Sequence, residues 1–139
     1  MTITTVDEDI RRKIEPAASP SSERIETLRK AGELGIRTYV FLGPFMPGLT
    51  DTDEALDALI SAIAELPLSQ IHADKLNPRP GVWNEIVPLL KRWHPELMEY
   101  YRSLFFQEDE YKAYCADLAY RLRQVAQKHG MADRLNPVF

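Results

Sequence analysis

The sequence contains a single cysteine, Cys115, among its 139 residues. One cysteine excludes a disulfide framework within the chain, a cysteine-based zinc site and an iron–sulfur cluster held by this chain alone. No stretch approaches the roughly 18 consecutive apolar residues that a membrane-spanning helix needs. The N-terminus also lacks the basic-then-apolar pattern of a secretory signal. We therefore expect a protein of the reducing cytoplasm that makes no membrane contact.

Positive charge is also scarce, because 17 Lys and Arg residues stand against 21 Asp and Glu residues and leave a net charge of −4. This balance excludes a generally basic protein that coats nucleic acid, although a local basic patch is compatible with it. Hydrophobic residues make up 45% of the chain and charged residues 27%, which is ordinary for a globular protein. The length suits one domain with a single core.

Three short runs have the β-branched and aromatic content of strands. They are TITTV at 2–6, IRTYVFLG at 36–43 and SQIHADKL at 69–76. Helical patterns separate them, and the second of these helices begins where Asp51 and Glu54 have the spacing of a capping box. The alternation of strand and helix predicts parallel strands joined by right-handed crossovers.

The pattern changes after the third run, where a proline-rich loop precedes three helical segments. These segments lie at about 82–92, 95–106 and 108–129. The residues of the last segment that include Arg121, Arg123 and Lys128 are expected to form a solvated helix face. We predict a βαβαβ half-barrel segment over 1–81, a helical segment over 82–130 and a flexible tail over 131–139.

Three parallel strands with two crossover helices leave one sheet face and two edges uncovered. A complete βα barrel takes about 250 residues, which is roughly twice the length of this chain. The sequence therefore predicts an α/β fold that is a partial (β/α) barrel fragment, with about three parallel strands followed by C-terminal helices. The open side would be covered by a missing half of the barrel, by a second copy of the chain or by the C-terminal helices.

Loops that follow parallel strands gather at one edge of the sheet, where ligands bind. Three such loops are dense in proline and glycine, which fix the backbone conformation. They span residues 7–20, 43–51 and 75–83. Any one of them could be a plain turn, but three together at one edge predict a binding site.

The motifs in these loops occur in an order that resembles a known family. They are TTVD at 4–7, IEPAASP at 14–20, GP at 43–44, PGLTD at 47–51 and DKLNPRPGVW at 74–83. The set is similar to the radical S-adenosylmethionine proteins described as DNA-repair photolyases, which are relatives of spore photoproduct lyase. The resemblance covers about residues 2–106 and would make the chain the C-terminal half of such a protein.

The resemblance implies a partial (β/α)6 barrel whose first half carries a C-x3-C-x2-C triad. In that family the triad holds a 4Fe–4S cluster, and S-adenosylmethionine bound to it is cleaved to a radical that abstracts hydrogen from the substrate. This chain lacks the triad. We therefore expect S-adenosylmethionine as its cofactor, the cluster only in a complete protein, and no activity of the chain alone. The expected partner is the missing N-terminal half-barrel or a second copy, with nucleic acid as a family-level analogy.

The resemblance also assigns residues to a cofactor pocket. Thr4 matches a strand-end hydroxyl residue that helps to hold S-adenosylmethionine, although a threonine here could equally be a simple strand former. Gly43 and Pro44 end the second strand, where a missing side chain would let a ligand approach the backbone, or where they simply terminate the strand. No residue of the chain is predicted to be catalytic or to bind a metal.

The expected substrate-rim residues are Glu15, Lys75, Asn77 and Arg79. Glu15 either faces the ligand or pairs with Arg24 to hold the first loop. A lysine in a strand is costly to bury unless it is paired or faces a wet cavity, and an arginine in the next loop either binds a phosphate or carboxylate or is a solvated charge.

Two further functions stay open at this point. The chain could be a non-catalytic α/β scaffold or interaction module that associates with itself. It could also bind a phosphate-bearing ligand through Lys75 and Arg79. His72 lies on the opposite strand face from Lys75 and is expected to be packed rather than to act as a ligand.

Overall fold

The computed structural model describes residues 1–139 as a four-stranded sheet with six α-helices. The strands are β1 (Thr2–Ile3), β2 (Thr38–Phe45), β3 (Leu68–Lys75) and β4 (Leu135–Pro137). The helices are α1 (Glu8–Ile14), α2 (Ser21–Glu33), α3 (Asp53–Ile63), α4 (Val82–Trp93), α5 (Met98–Phe106) and α6 (Glu108–Lys128). None of the six helices is both long enough and apolar enough to span a bilayer.

All neighbouring strands are parallel, and their order in the sheet is β1-β2-β3-β4. The register places Ile3 beside Leu42, Leu42 beside Ala73 and Ala73 beside Pro137. Each strand thus lies next to the strand that precedes it in the chain, as in a (β/α) barrel, whereas a doubly wound sheet reverses its order at a switch point. The predicted α/β class with parallel strands is confirmed.

The C-terminal residues 131–139 form a short 3-10 turn and β4 instead of the flexible tail that the sequence predicts. The Val138 N–H donates a hydrogen bond to the carbonyl oxygen of Ala73 at 2.9 Å. Local sequence gave no strand signal here because β4 contains Pro137, which removes a donor from the ladder. An edge strand tolerates that loss, and pairing with the free edge of β3 stabilises the segment.

The first loop also contains a helix, α1, which the sequence analysis leaves as loop. Asp7 caps it, since Oδ1 accepts hydrogen bonds from the N–H groups of Asp9 at 2.9 Å and Ile10 at 3.0 Å. Acidic residues lie in its first turn and basic residues in its last, which matches the helix dipole. The sequence therefore contains a capping signal for α1, at Asp7, that the prediction of a loop over 7–20 missed.

One face of the sheet packs against helices and forms the main core. Val40, Leu42, Ile71 and Ala73 on this face have no exposed surface. They join a cluster with side chains from the covering helices, among them Leu28 of α2, Leu56, Leu59, Ile60 and Ile63 of α3, and Leu118 and Leu122 of α6. A smaller cluster joins the second and third strand-end loops to α4 and α5, through Met46, Leu49, Leu76, Ile86, Leu90 and Tyr101.

The opposite face, which we call the open face, carries Tyr39, Phe41, Gln70 and His72. Tyr39 is 55% exposed, Gln70 is exposed, and the other two are partly exposed. The His72 ring meets the edge of Tyr39 at 5.7 Å between centroids and stacks with Phe41 at 6.3 Å. Parallel sheets normally have both faces covered, so this face lacks the second layer that its topology calls for.

Candidate functional site

The carboxyl ends of β1, β2 and β3 lie side by side and bring several predicted site residues together. The Thr4 hydroxyl lies 3.2 Å from the carbonyl oxygen of Gly43 and 2.8 Å from Oε1 of Glu15. Arg24 reaches the same place from α2, with Nη2 at 3.2 Å from Oε2 of Glu15. We call Thr4, Glu15, Arg24 and Gly43 the strand-end cluster.

Glu15 is the centre of this cluster because both of its carboxylate oxygens are engaged. The buried Thr4 hydroxyl donates to one oxygen and the Arg24 guanidinium donates to the other. The Arg24 side chain is 10% exposed and the Glu15 side chain 26% exposed, so the carboxylate still reaches solvent. The structure therefore contains the Glu15–Arg24 pair and leaves part of Glu15 accessible at the sheet edge.

Arg24 ties this carboxylate to the strand and to the first loop. Its Nη1 donates to the carbonyl oxygen of Thr2 at 3.0 Å, and its Nε donates to that of Ser19 at 3.0 Å. A guanidinium presents its N–H donors in a rigid plane, so three simultaneous bonds fix its direction. The position of Glu15 is accordingly set by β1, by α2 and by the loop between them.

A buried arginine of α1 holds the loop that carries Glu15 through hydrogen bonds to its backbone. Arg11 Nη1 donates to the carbonyl oxygens of Glu15 at 2.9 Å and Ala18 at 2.7 Å, and its Nε donates to Glu8 at 2.7 Å. Glu8 also accepts the Ser21 N–H at 2.8 Å. These hydrogen bonds, that from Arg11 above all, hold the pKa of Glu8 below its ordinary value. The first loop is thus organised without any ligand.

Gly43 is required by the packing of the sheet itself. Its φ is +114°, and a Cβ at this position would collide with the carbonyl oxygen of Asp74 on β3. The neighbouring strand therefore occupies the room that the missing side chain leaves, and the assignment of Gly43 to a cofactor pocket stays a prediction. Pro44 follows through a cis peptide bond and is exposed at the sheet edge.

The third loop contributes separately from the strand-end cluster. Lys75 Nζ lies 3.5 Å from Asp74 Oδ1 and 5.6 Å from the ring centroid of Phe139, which explains how a lysine that is only 14% exposed is accommodated. The side chains of Asn77 and Arg79 make no hydrogen bond or ion pair. No such bond connects Lys75, Asn77 or Arg79 with the strand-end cluster.

A buried carboxylate holds the second loop, and sequence reasoning assigned it a different role. Asp51 accepts the Gly48 N–H at 2.6 Å and the Tyr114 hydroxyl at 2.9 Å. It does not cap α3, because Thr52 is the N-cap and its Oγ1 accepts the Ala55 N–H at 3.2 Å. Burial raises the pKa of Asp51 above its ordinary value, while the hydrogen bonds from Tyr114 and Gly48 act in the opposite direction.

Arg121 of α6 completes this anchor, although the sequence suggested a solvated helix face. Its Nη1 donates to the backbone carbonyl oxygen of Asp51, and its Nε donates to Asp117 at 2.7 Å. The two ends of the contact are 70 residues apart in the chain. No local pattern could have joined them, since only the tertiary fold brings α6 against the second loop.

A cleft of about 460 Å³ separates the first loop from the second. Thr5 and Asp7 line it on one side, and Gly48, Leu49 and Thr52 line it on the other. Because both loops are anchored by buried groups, the space between them has a defined shape. The first and second loops thus enclose a cleft that none of the residues of the strand-end cluster lines.

The residues present do not fit an iron–sulfur cluster. Cys115 is the only thiol, and no group of three or more His, Cys, Asp and Glu side chains could hold a metal ion. A cluster of the expected type needs three thiolates. We therefore derive no chemical step through such a cluster from this chain.

Comparison with known proteins finds relatives but no matching family model and no matching solved structure. The chain is 32% identical over 82 residues to the uncharacterized protein ORF301 of Acidianus two-tailed virus, which covers 57% of this chain and 27% of that protein. It is 28% identical over 99 residues to the uncharacterized protein Rv2578c of Mycobacterium tuberculosis, which covers 71% of this chain and 29% of that protein. The matched segment thus spans less than a third of each relative.

Proposed function

We propose that this chain is the C-terminal part of a radical S-adenosylmethionine protein of the spore photoproduct lyase-like group. It supplies residues of the cofactor pocket and the substrate rim, and it relies on another segment for the iron–sulfur cluster. One observation carries the proposal. The all-parallel sheet, whose strands are in sequential order, has the open face on one side and the strand-end cluster at its carboxyl edge.

The open face supports the proposal of a barrel. In a closed barrel the helices lie outside and the inner strand faces pack against one another. Here the helices cover one face, and Tyr39, Phe41 and His72 lie on the other. The relatives extend well beyond the matched segment, so proteins of this kind have ample additional chain for further strands.

The donor set of the strand-end cluster suits S-adenosylmethionine. This cofactor presents ribose hydroxyls, an amino group and a carboxylate. Glu15 can accept a hydrogen bond from a hydroxyl or an ammonium group, because part of its side chain is exposed. The Thr4 oxygen can accept one further hydrogen bond while its proton is donated to Glu15. Thr4, Glu15 and the exposed Pro44 are the groups that would hold the cofactor here.

Titration calorimetry with S-adenosylmethionine tests this pocket in the chain itself. We expect saturable binding that Thr4→Val weakens about fivefold to tenfold, because one hydrogen bond contributes about 1 kcal/mol. Thr2→Val is the matched control, since Thr2 lies on β1 two residues before Thr4 and its hydroxyl makes no hydrogen bond. Circular dichroism and thermal unfolding establish that both variants are folded. Absence of binding to the unmodified chain, or equal loss in both variants, would overturn the pocket.

A self-associating scaffold is the second candidate function, and the open face also favours it. A second copy of the chain could cover Tyr39 and Phe41 in place of further strands. Sedimentation velocity across a range of protein concentrations distinguishes the two. The scaffold requires a dimer that Phe41→Lys dissociates and that Tyr120→Lys, on the exposed side of α6, leaves intact. A monomer at every concentration removes this candidate.

A further inference from the structure

Positive charge is concentrated in a surface cleft between the ends of α1 and α4. The cleft has a volume of about 520 Å³ and also touches the first loop. Its lining residues are Asp9, Arg12, Lys13, Pro16, Arg92 and Trp93. We call it the Trp93 cleft. Three cations and one carboxylate line it, in a chain whose net charge is −4.

The cations of the Trp93 cleft are not neutralised by neighbouring carboxylates. Lys13 and Arg92 take part in no ion pair and donate no side-chain hydrogen bond. Arg12 approaches Asp9 at 3.4 Å, but these side chains are 67% and 85% exposed. An exposed pair of this kind contributes little, so the local charge stays available to an anion.

Some other surface cations of the molecule lie closer to a carboxylate, whereas Arg37 and Arg123 are exposed and have no ion pair. Lys112 lies 2.6 Å from Glu108 on the same helix, and Lys128 lies 2.7 Å from Asp57 of α3. The Trp93 cleft differs from such isolated cations in gathering three of them in one concave site.

Trp93 positions two of these cations. The guanidinium carbon of Arg92 lies 4.6 Å from the ring centroid, and Lys13 Nζ lies 5.4 Å from it. The tryptophan itself is 44% exposed. A cation over an aromatic ring is attracted by the ring's charge distribution, and a guanidinium in this position keeps the N–H donors along its edge free. Such preorganisation reduces the entropy cost of binding an anion.

The helix dipole explains only part of this arrangement. Basic residues are favoured in the last turns of α1 and α4, and both helices have them there. That preference acts on each helix separately. It does not account for the convergence of Lys13 from α1 and Arg92 from α4 on one exposed tryptophan.

We propose that the Trp93 cleft binds the phosphate group of a phosphorylated ligand. An arginine can bind a phosphate through two N–H donors, and a lysine adds a point charge. The cleft borders Pro16, which directly follows Glu15, so a bound phosphate would lie beside the first loop. The proposal does not rest on the S-adenosylmethionine pocket, because none of the cleft residues belongs to the strand-end cluster.

The fluorescence of Trp93 provides a direct readout of binding. Trp83→Phe leaves Trp93 as the single tryptophan, and calorimetry on the unmodified chain provides a second measurement. The probes are pyrophosphate and a short single-stranded oligonucleotide, which represent a small phosphate ligand and a phosphodiester chain. We expect a saturable change in Trp93 fluorescence with at least one probe. Preference for one probe identifies the source of the phosphate.

A double variant, Lys13→Gln with Arg92→Gln, tests the residues of the cleft. We expect it to weaken binding at least tenfold. With the oligonucleotide, the slope of log K against log salt should become shallower by about 0.7, since Lys13 and Arg92 hold one phosphate and each lost phosphate contact accounts for about 0.7. Arg37→Gln with Arg123→Gln is the matched control, because it also removes two exposed cations without an ion pair, and these lie outside the Trp93 cleft. Lack of binding to both probes, or equal loss in the two double variants, overturns the proposal whatever the result with S-adenosylmethionine.

Discussion

The two faces of the sheet are made by the same strands but have opposite surroundings. Val40, Leu42 and Ile71 point to the helices and are completely buried, whereas Tyr39 and His72 on alternate positions stay partly or largely exposed. Strands of a parallel sheet that is covered on both sides are hydrophobic at nearly every position. The alternation in β2 and β3 therefore shows that the chain builds a core on one side only. The open face is where the proposed barrel would add further structure.

Replacement of one neighbouring residue on each face gives the largest expected contrast. Leu42→Ala should lower the free energy of unfolding by about 2–5 kcal/mol, because it leaves a cavity in the core. Phe41→Ala should cost about 1 kcal/mol, since the side chain is partly exposed and its ring stacks only on His72. Urea unfolding of both variants measures the difference. Equal costs would mean that the open face is packed like the covered one.

A hydroxyl deletion next tests how the helices of the covered side hold the second loop. Tyr114→Phe removes the donor to the buried Asp51 carboxylate and should cost about 1–3 kcal/mol. Tyr120→Phe on the same helix is the control and should change stability by less than about 0.5 kcal/mol, because Tyr120 is exposed. Thermal or urea unfolding serves for both. A neutral Tyr114→Phe would show that the Tyr114 hydroxyl does not anchor this loop.

The strand-end cluster lies at the carboxyl edge of the sheet, and its loss should have an intermediate effect on stability. Arg24→Gln removes the charge from an arginine that binds Glu15 and two backbone carbonyl groups, and we expect a loss of about 1–2 kcal/mol. Arg29→Gln lies on the same helix and breaks only an exposed pair with Glu26, so its effect should stay below about 0.5 kcal/mol. The comparison fails if both variants unfold at the same urea concentration.

The smallest effect concerns pH. The pKa of Glu8 is lowered from 4.5 by its hydrogen bond with Arg11, so its ionised form favours the folded state. Its contribution to stability is complete above the unfolded value and is lost as the pH falls through the lower folded value. Glu8→Gln should therefore flatten the acid side of the stability profile, and Glu23→Gln, on an exposed position of α2, should not. Identical acid limbs in all three proteins would exclude a role for Glu8.

Most of what sequence reasoning predicted correctly had a local signal, although the local capping signal of α1 was missed. The strand runs, the sequential order of strand and helix, and the three C-terminal helices follow from periodicity, caps and breakers within short windows. It missed β4 because that strand depends on the free edge of β3. It assigned Asp51 to a cap because the true partners, Tyr114 and Arg121, lie on a helix more than 60 residues away.

The candidate site was predictable to a similar extent. The proximity of Thr4 and Gly43 followed from the parallel topology. The pairing of Glu15 with Arg24 was one of the two interpretations that the sequence allowed for Glu15. The need for glycine at position 43 was not predictable. It arises because the carbonyl oxygen of Asp74, on the neighbouring strand β3, lies where a Cβ would be. The resemblance to radical S-adenosylmethionine proteins stays a prediction that the ligand titrations have to test.

Hydroxyl-radical footprinting of the dilute chain tests the uncovered sheet most directly. It compares an exposed or partly exposed residue of the open face with a buried residue of the same type, Tyr39 with Tyr101 of α5 and Phe41 with Phe45 of β2. We expect rapid oxidation of Tyr39 and measurable oxidation of Phe41, while Tyr101 and Phe45 stay protected. Equal protection of Tyr39 and Tyr101 in the dilute chain would contradict an open face and, with it, the incomplete barrel.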